Sequence, residues 1–84
     1  MRLDKYLKVS RIIKRRTVAN EAADGGRVTL NGRIAKPAAQ VNPGDIIEIR
    51  FGEHLMRARV ESIDEHVKKG DAALMYTLIE GEQL

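Results

Sequence analysis

Seven of the first sixteen residues are Lys or Arg (Arg2, Lys5, Lys8, Arg11, Lys14, Arg15 and Arg16), and their type and spacing suit one chemistry, the recognition of phosphate. Arg offers a planar fork of donors that matches phosphate oxygens and can stack on exposed bases, whereas Lys offers a compact charge. Arg27 and Arg33, further along, could reach a second strand of a polyanion. Asp4 is the first acid in the chain. It could pair with a nearby Arg and hold that guanidinium outward, or simply suit the start of a helix and pair with Lys8 four residues on. Thr17 is a candidate helix cap or phosphate donor. Nothing comparable points to catalysis, because Ser10 and Thr17 have no plausible base or oxyanion site in so small a chain. His54 and His66 lie twelve residues apart with no patterned Cys or acid beside them, which argues against a metal site; both read as loop residues. The expectation is a protein that is not an enzyme and uses no cofactor or metal.

The charge distribution supports a binding role. Residues 1 to 36 hold ten Lys/Arg against three acids, a net of +7, and residues 37 to 84 hold five against nine, a net of −4. A basic half this dense attracts polyanions and speeds their association, while a solvated surface of mixed charge would show both signs throughout. The absence of Cys excludes a disulfide framework and thiolate chemistry, so a reducing compartment, the cytoplasm, is expected. The N-terminus carries charges every few residues and no apolar stretch for a signal peptide or a membrane span. With 84 residues and 4% aromatics, one domain over residues 1–84 is expected. It would have a core region over 2–50 and a C-terminal strand and packing segment over 51–84. A chain of this length buries only about 60 to 65% of its unfolded surface.

Several elements position these cations. Leu3, Tyr6 and Leu7 fall at helical spacing, so residues 2 to 8 form a helix with its basic residues on the other faces. Ser10 interrupts it, and Arg11 to Arg16 places four cations around Ile12 and Ile13, a pair that must be buried. A second helix follows, capped by Thr17, packed through Val18, Ala19, Ala22 and Ala23, and stopped by Gly25-Gly26 in left-handed conformation. Arg27 to Leu30 and Arg33 to Ala35 flank Asn31-Gly32, the signature of a two-residue type I′ hairpin. Pro43-Gly44 suits the centre of a type II turn. Beyond it, Ile47, Ile49 and Phe51, then Met56, Ala58 and Val60, alternate with polar residues as two antiparallel strands. The result is an α+β fold, two N-terminal helices packed on a small antiparallel sheet of about four strands. Residues 64–71 read as a polar connector, and Ala72 to Ile79 packs back as a short helical turn or an edge strand.

The run Arg2-Leu3-Asp4-Lys5-Tyr6-Leu7, then Arg16 with Ala19, then Gly26-Arg27-Val28 to Asn31-Gly32, and finally Pro43-Gly44-Asp45-Ile46-Ile47, resembles the S4-type (αL) RNA-binding domain. The match spans residues 2 to about 50. With Ile49-Arg50-Phe51-Gly52 and Ala72-Ala73-Leu74-Met75-Tyr76-Thr77 added, nearly the full chain is similar to the RqcP group of stand-alone bacterial ribosome quality control factors. That resemblance implies a protein that binds 23S rRNA and peptidyl-tRNA on obstructed large ribosomal subunits, steadies the P-site tRNA and assists alanine tailing by an RqcH-type partner; a monomer is expected. It also singles out Arg16, at the start of the second helix, and Arg2, beside the first.

The residue types add a mechanism. With few aromatics to stack splayed bases, structured RNA is read by shape and backbone. If about six phosphates are contacted, affinity falls roughly a thousand-fold between about 50 and 200 mM salt. Three other readings compete. A heat-shock-type factor that recycles aborted large subunits would carry a longer basic C-terminal extension, whereas residues 64 to 84 hold two Lys against five acids. An RNA-binding subunit of an RNA-modifying enzyme would need its catalytic portion elsewhere. A module for acidic proteins would survive RNase treatment.

Overall fold

The computed structural model describes residues 1–66 and 68–79. Helix α1 spans Leu3–Val9 and α2 spans Arg16–Asp24. Five strands follow: β1 Val28–Leu30, β2 Arg33–Ile34, β3 Ile46–Phe51, β4 His54–Val60 and β5 Tyr76–Leu78, with a 3₁₀ helix at Lys69–Met75 before the last. They form one antiparallel sheet in the order β2-β1-β3-β4-β5. The α+β expectation holds. The fifth strand and the 3₁₀ helix together resolve the Ala72 to Ile79 segment, which supplies both a helical turn and an edge strand. Glu80 and Glu82, part of the acidic end, lie outside the described residues.

Register explains which face is buried. Val28 and Leu30 pair with Ile49 and Ile47, which pair in turn with Met56 and Ala58, so alternate positions put one apolar row against the helices. Leu3, Tyr6, Leu7, Ile13, Ala19, Ala22 and Ala23 complete the core with Val41, Val60 and Met75. On the opposite face Glu48 accepts from Arg57 Nε at 2.6 Å and from Thr29 Oγ1 at 3.4 Å. A seven-residue helix such as α1 is marginal alone. Burial of three large side chains, Leu3, Tyr6 and Leu7, holds it in place.

Local signals locate the turns. Asn31 and Gly32 both take positive φ, 54° and 85°, and Leu30 pairs with Arg33, as a type I′ hairpin requires. Asp45 N–H donates to Asn42 O at 3.1 Å across Pro43-Gly44, closing the other turn. Three expectations fail. The left-handed residue after α2 is Gly26 alone, since Gly25 has φ −80°; Gly25 is small because a Cβ there would sit 3.1 Å from Glu21 O. Val18 is 44% exposed, so α2 packs only through its alanines, whose size lets α1 approach closely. His54 is the first residue of β4 and pairs with Phe51, so it is not a loop residue.

One long-range device was not foreseen. The loop after β2 runs across the N-terminus, where Leu3 N–H donates to Ala39 O at 2.8 Å, Asp4 N–H to Pro37 O at 3.1 Å and Val41 N–H to Met1 O at 2.9 Å. Neither helix has a side-chain cap. The unpaired N–H groups that begin a helix need acceptors, and α1 takes them from this loop.

Candidate nucleic-acid interface

With its first turn clamped by the loop, α1 turns Asp4 inward, where the residue is only 2% exposed. Its carboxylate joins both helices. Arg2 donates from Nε to Oδ1 and from Nη2 to Oδ2, both at 3.1 Å, a two-pronged contact that fixes the guanidinium plane. Arg16 Nη2 reaches Oδ1 at 3.4 Å, Asn20 Nδ2 donates to Oδ2 at 3.1 Å, and the Lys5 N–H donates to Oδ1 at 2.8 Å. Burial pushes this carboxyl up, but hydrogen bonds from Arg2, Asn20 and the Lys5 backbone, with the charge of Arg16, outweigh it and hold Asp4 below the ordinary carboxylate value. It therefore stays ionised at neutral pH. The Arg2 and Arg16 side chains remain 47% and 48% exposed. Each guanidinium has five N–H donors, and the share not spent on Asp4 faces outward. The pairing of Asp4 with an Arg holds; the pairing with Lys8 does not.

The second cluster surrounds the interhelical turn. Arg11 takes φ 64°, a left-handed conformation that costs a residue with a Cβ roughly 1–2 kcal/mol. It is imposed from both sides. Ser10, 1% exposed, donates Oγ to Leu7 O at 3.3 Å, Arg11 N–H donates to Lys8 O and Ile13 N–H to Leu7 O, both at 3.0 Å, and Ile13 is buried. Ile12 is only partly buried, so the apolar pair is not sequestered as a unit. The turn sets Lys8, Arg11 and Lys14 around a cavity of about 200 Å³ that Glu65 also lines. Glu65 is paired with Lys5, and that contact holds its carboxyl below the ordinary value.

The remaining predicted residues fall elsewhere. Arg15 is the exposed residue preceding α2. Thr17 is no cap, because it lies inside the helix, where its own backbone is helical. It lines the opening beside Asp4, Arg16, Asn20 and Glu21, so its hydroxyl borders the first cluster. Arg27 lines a cavity on the sheet with Thr29, Ile34, Glu48, Arg50 and Leu55, and Arg33 stands in the two-residue β2. Neither joins the helical clusters.

Sequence reasoning missed Asn20 and Glu65, the partners of Asp4 and Lys5. Asn20 could have been found, since it follows Arg16 by one helical turn and shares its face. Among the described residues no group of three or more metal-binding side chains comes together, and no helix is long and apolar enough to cross a membrane.

The S4 domain model matches residues 1–47, the stretch that carries α1, the Arg11 turn, α2 and the hairpin. The chain belongs to the S4-domain family. It is 54% identical over 83 residues to the RQC P-site tRNA stabilizing factor of Listeria monocytogenes, covering 99% of this chain and 90% of the relative. It is 51% identical over 84 residues to the protein of the same name in Bacillus subtilis, covering 100% and 98%. Among solved structures, the trimeric Heat Shock Protein 15 of Vibrio cholerae aligns with a TM-score of 0.85 at 32% identity, over 94% of this chain and 81% of that one. The resemblance drawn from Arg2 to Leu7 and the later motifs is thereby borne out.

Proposed function

We propose that this protein is an RNA-binding accessory factor of bacterial ribosome-associated quality control. In this reading it binds 23S rRNA and peptidyl-tRNA on obstructed large subunits, steadies the P-site tRNA and supports alanine tailing by an RqcH-type partner. The observation that carries it is the pair of half-exposed guanidiniums, Arg2 and Arg16, fixed on one buried carboxylate. Groups held this way lose little freedom when they meet phosphates, which is what recognition of a rigid RNA surface by shape demands. The uncapped N-terminus of α2, flanked by Arg15 and Arg16, adds partial positive charge on the same side. The relatives that share about half of its residues over nearly the full length are named for stabilising P-site tRNA.

A second reading, a heat-shock-type factor acting on aborted large subunits, draws on the similarity to the Vibrio protein. The higher identity to the tRNA-stabilising relatives favours the first. Sedimentation of tagged protein from cells with stalled ribosomes tests it. The protein is expected with large subunits that carry peptidyl-tRNA, RNase is expected to abolish the association, and Arg16→Glu is expected to release a still folded protein. Retention of the reversed variant, or survival of the association after RNase, refutes the reading.

A further inference from the structure

Lys8, Arg11 and Lys14 converge on the cavity under the turn, and among the described residues none of the three has an ion-pair partner. Like charges gathered this way repel one another, and a turn that stores backbone strain to gather them needs a compensating role. Among the described residues the single acid lining the cavity, Glu65, comes from sixty residues beyond Lys5.

Its delivery is built into the fold. The Met75 carbonyl accepts from Tyr6 Oη at 2.7 Å, from Glu61 N–H at 2.8 Å and from Ser62 N–H at 3.2 Å, which ties the start of the connector to α1. The Ser62 hydroxyl accepts from Asp64 N–H at 3.2 Å, and the Asp64 carboxylate accepts from His66 N–H at 2.9 Å. These turns bend the chain so that Glu65 reaches Lys5. The resulting pair is open to solvent, with side chains 38% and 51% exposed, and exposed pairs of this kind are weak and easily exchanged.

We propose that this cavity is a second phosphate subsite, which takes a backbone phosphate of structured RNA among Lys5, Lys8, Arg11 and Lys14, and that Glu65 fills it as an internal counter-anion until the RNA displaces it. A glutamate carboxylate and a phosphodiester are both single negative charges shared over two outer oxygens, so one can replace the other at Lys5 without rebuilding the site. One acid set against four cations leaves an excess of positive charge, which steers RNA toward the cavity even while Glu65 is in place. The inference rests on the RNA-binding reading above, and it adds a site separate from the Asp4 cluster together with a residue that holds affinity down.

The test compares the full-length wild type with Glu65→Gln, Lys14→Gln and Arg16→Glu for binding to purified large subunits carrying peptidyl-tRNA, over a range of salt. Glu65→Gln is expected to bind about three- to tenfold tighter at low salt, because exchange of the counter-anion no longer opposes binding, and to lose that gain as salt rises. Lys14→Gln is expected to lower the slope of log affinity against log salt by about one. Independently of any variant, inorganic pyrophosphate added to the isotopically labelled wild type should move the amide resonances of residues 8–14 and of Glu65 together. If Glu65 is only a clasp, Glu65→Gln melts earlier and binds no tighter, and pyrophosphate leaves residues 8–14 unmoved; either result overturns the subsite. Arg16→Glu releasing the subunit while Glu65→Gln behaves as wild type overturns the subsite and leaves the general RNA-binding reading standing, whereas a wild type that ignores large subunits removes both.

Discussion

The two cationic clusters on the helical side of the molecule are built on opposite plans. Around Asp4 of α1, Arg2 from just before that helix and Arg16 and Asn20 from α2 converge on a carboxylate that is withdrawn from solvent and fully hydrogen-bonded. Around the Arg11 turn, three cations face a cavity with no ion-pair partner among the described residues, and the one acid lining it there, Glu65, arrives from the connector after β4 on an exposed pair. Burial makes the first cluster rigid, since a carboxylate removed from water cannot exchange partners cheaply. Exposure makes the second adaptable. Under the proposed RNA-binding role the two plans would divide the work: the rigid cluster would set register, and the adaptable one would add attraction.

The largest contrast should appear on charge reversal. Arg16→Glu is expected to lower affinity for large subunits about a hundredfold, and Lys14→Glu only about tenfold, because loss of a group in a hydrogen-bonded network costs more than loss of a screened surface charge. Binding isotherms at one fixed salt concentration decide this, and equal losses would erase the distinction drawn between the clusters. Next, Asp4→Ala is expected to destabilise the fold by about 2–3 kcal/mol, since Asn20 and the Arg2 fork lose their buried acceptor, and to weaken RNA binding about tenfold by freeing Arg2 and Arg16. Urea denaturation measures the first effect. Glu65→Gln should leave the denaturation midpoint almost unmoved in the same assay.

Acid should also separate the two. The Asp4 carboxyl is held below its ordinary value of 3.8 in the folded protein, so its contribution to stability is complete above about pH 4 and disappears as pH falls through the lower, folded value. In a denaturation series from pH 5 downward, Asp4→Asn should flatten that decline. A decline as steep as in the wild type would assign it to other carboxyls. The smallest effect is expected at Arg11. Replacing it by Gly relieves the left-handed strain and should stabilise the fold by about 0.5 kcal/mol after the extra freedom of Gly in the unfolded chain is counted. The same change should weaken RNA binding about threefold, and a variant that is both more stable and an equal binder would deny the turn any role.

Much of the fold could be read directly, and the reason is local. The Asn31-Gly32 hairpin follows from which residues tolerate positive φ, and the apolar spacing of Leu3, Tyr6 and Leu7 marks the buried stripe of α1. The errors are instructive in the same terms. Thr17 looked like a cap because its type suits one, but the Pro37 to Ala39 carbonyls satisfy the start of α1, and α2 begins before Thr17 without a side-chain cap. Val18 lies exposed because close approach of the helices is set by the alanines beside it.

The candidate site divides along the same line. Its cations were legible from charge density alone, Arg2 and Arg16 among them, because seven Lys and Arg in sixteen residues leave few other uses. Their grouping was not legible. Asn20 meets Asp4 from sixteen residues away and Glu65 meets Lys5 from sixty, and such contacts depend on how α1, α2 and the connector after β4 are brought together.

The amino-acid order by itself therefore determined where the positive charge lies, in the N-terminal half, and the local elements that carry it, because charge and backbone preference belong to single residues and short windows. Only the tertiary structure decided which cations are locked and which are poised. That choice depends on whether a carboxylate ends up buried or exposed beside them, and burial exists only once distant segments have packed.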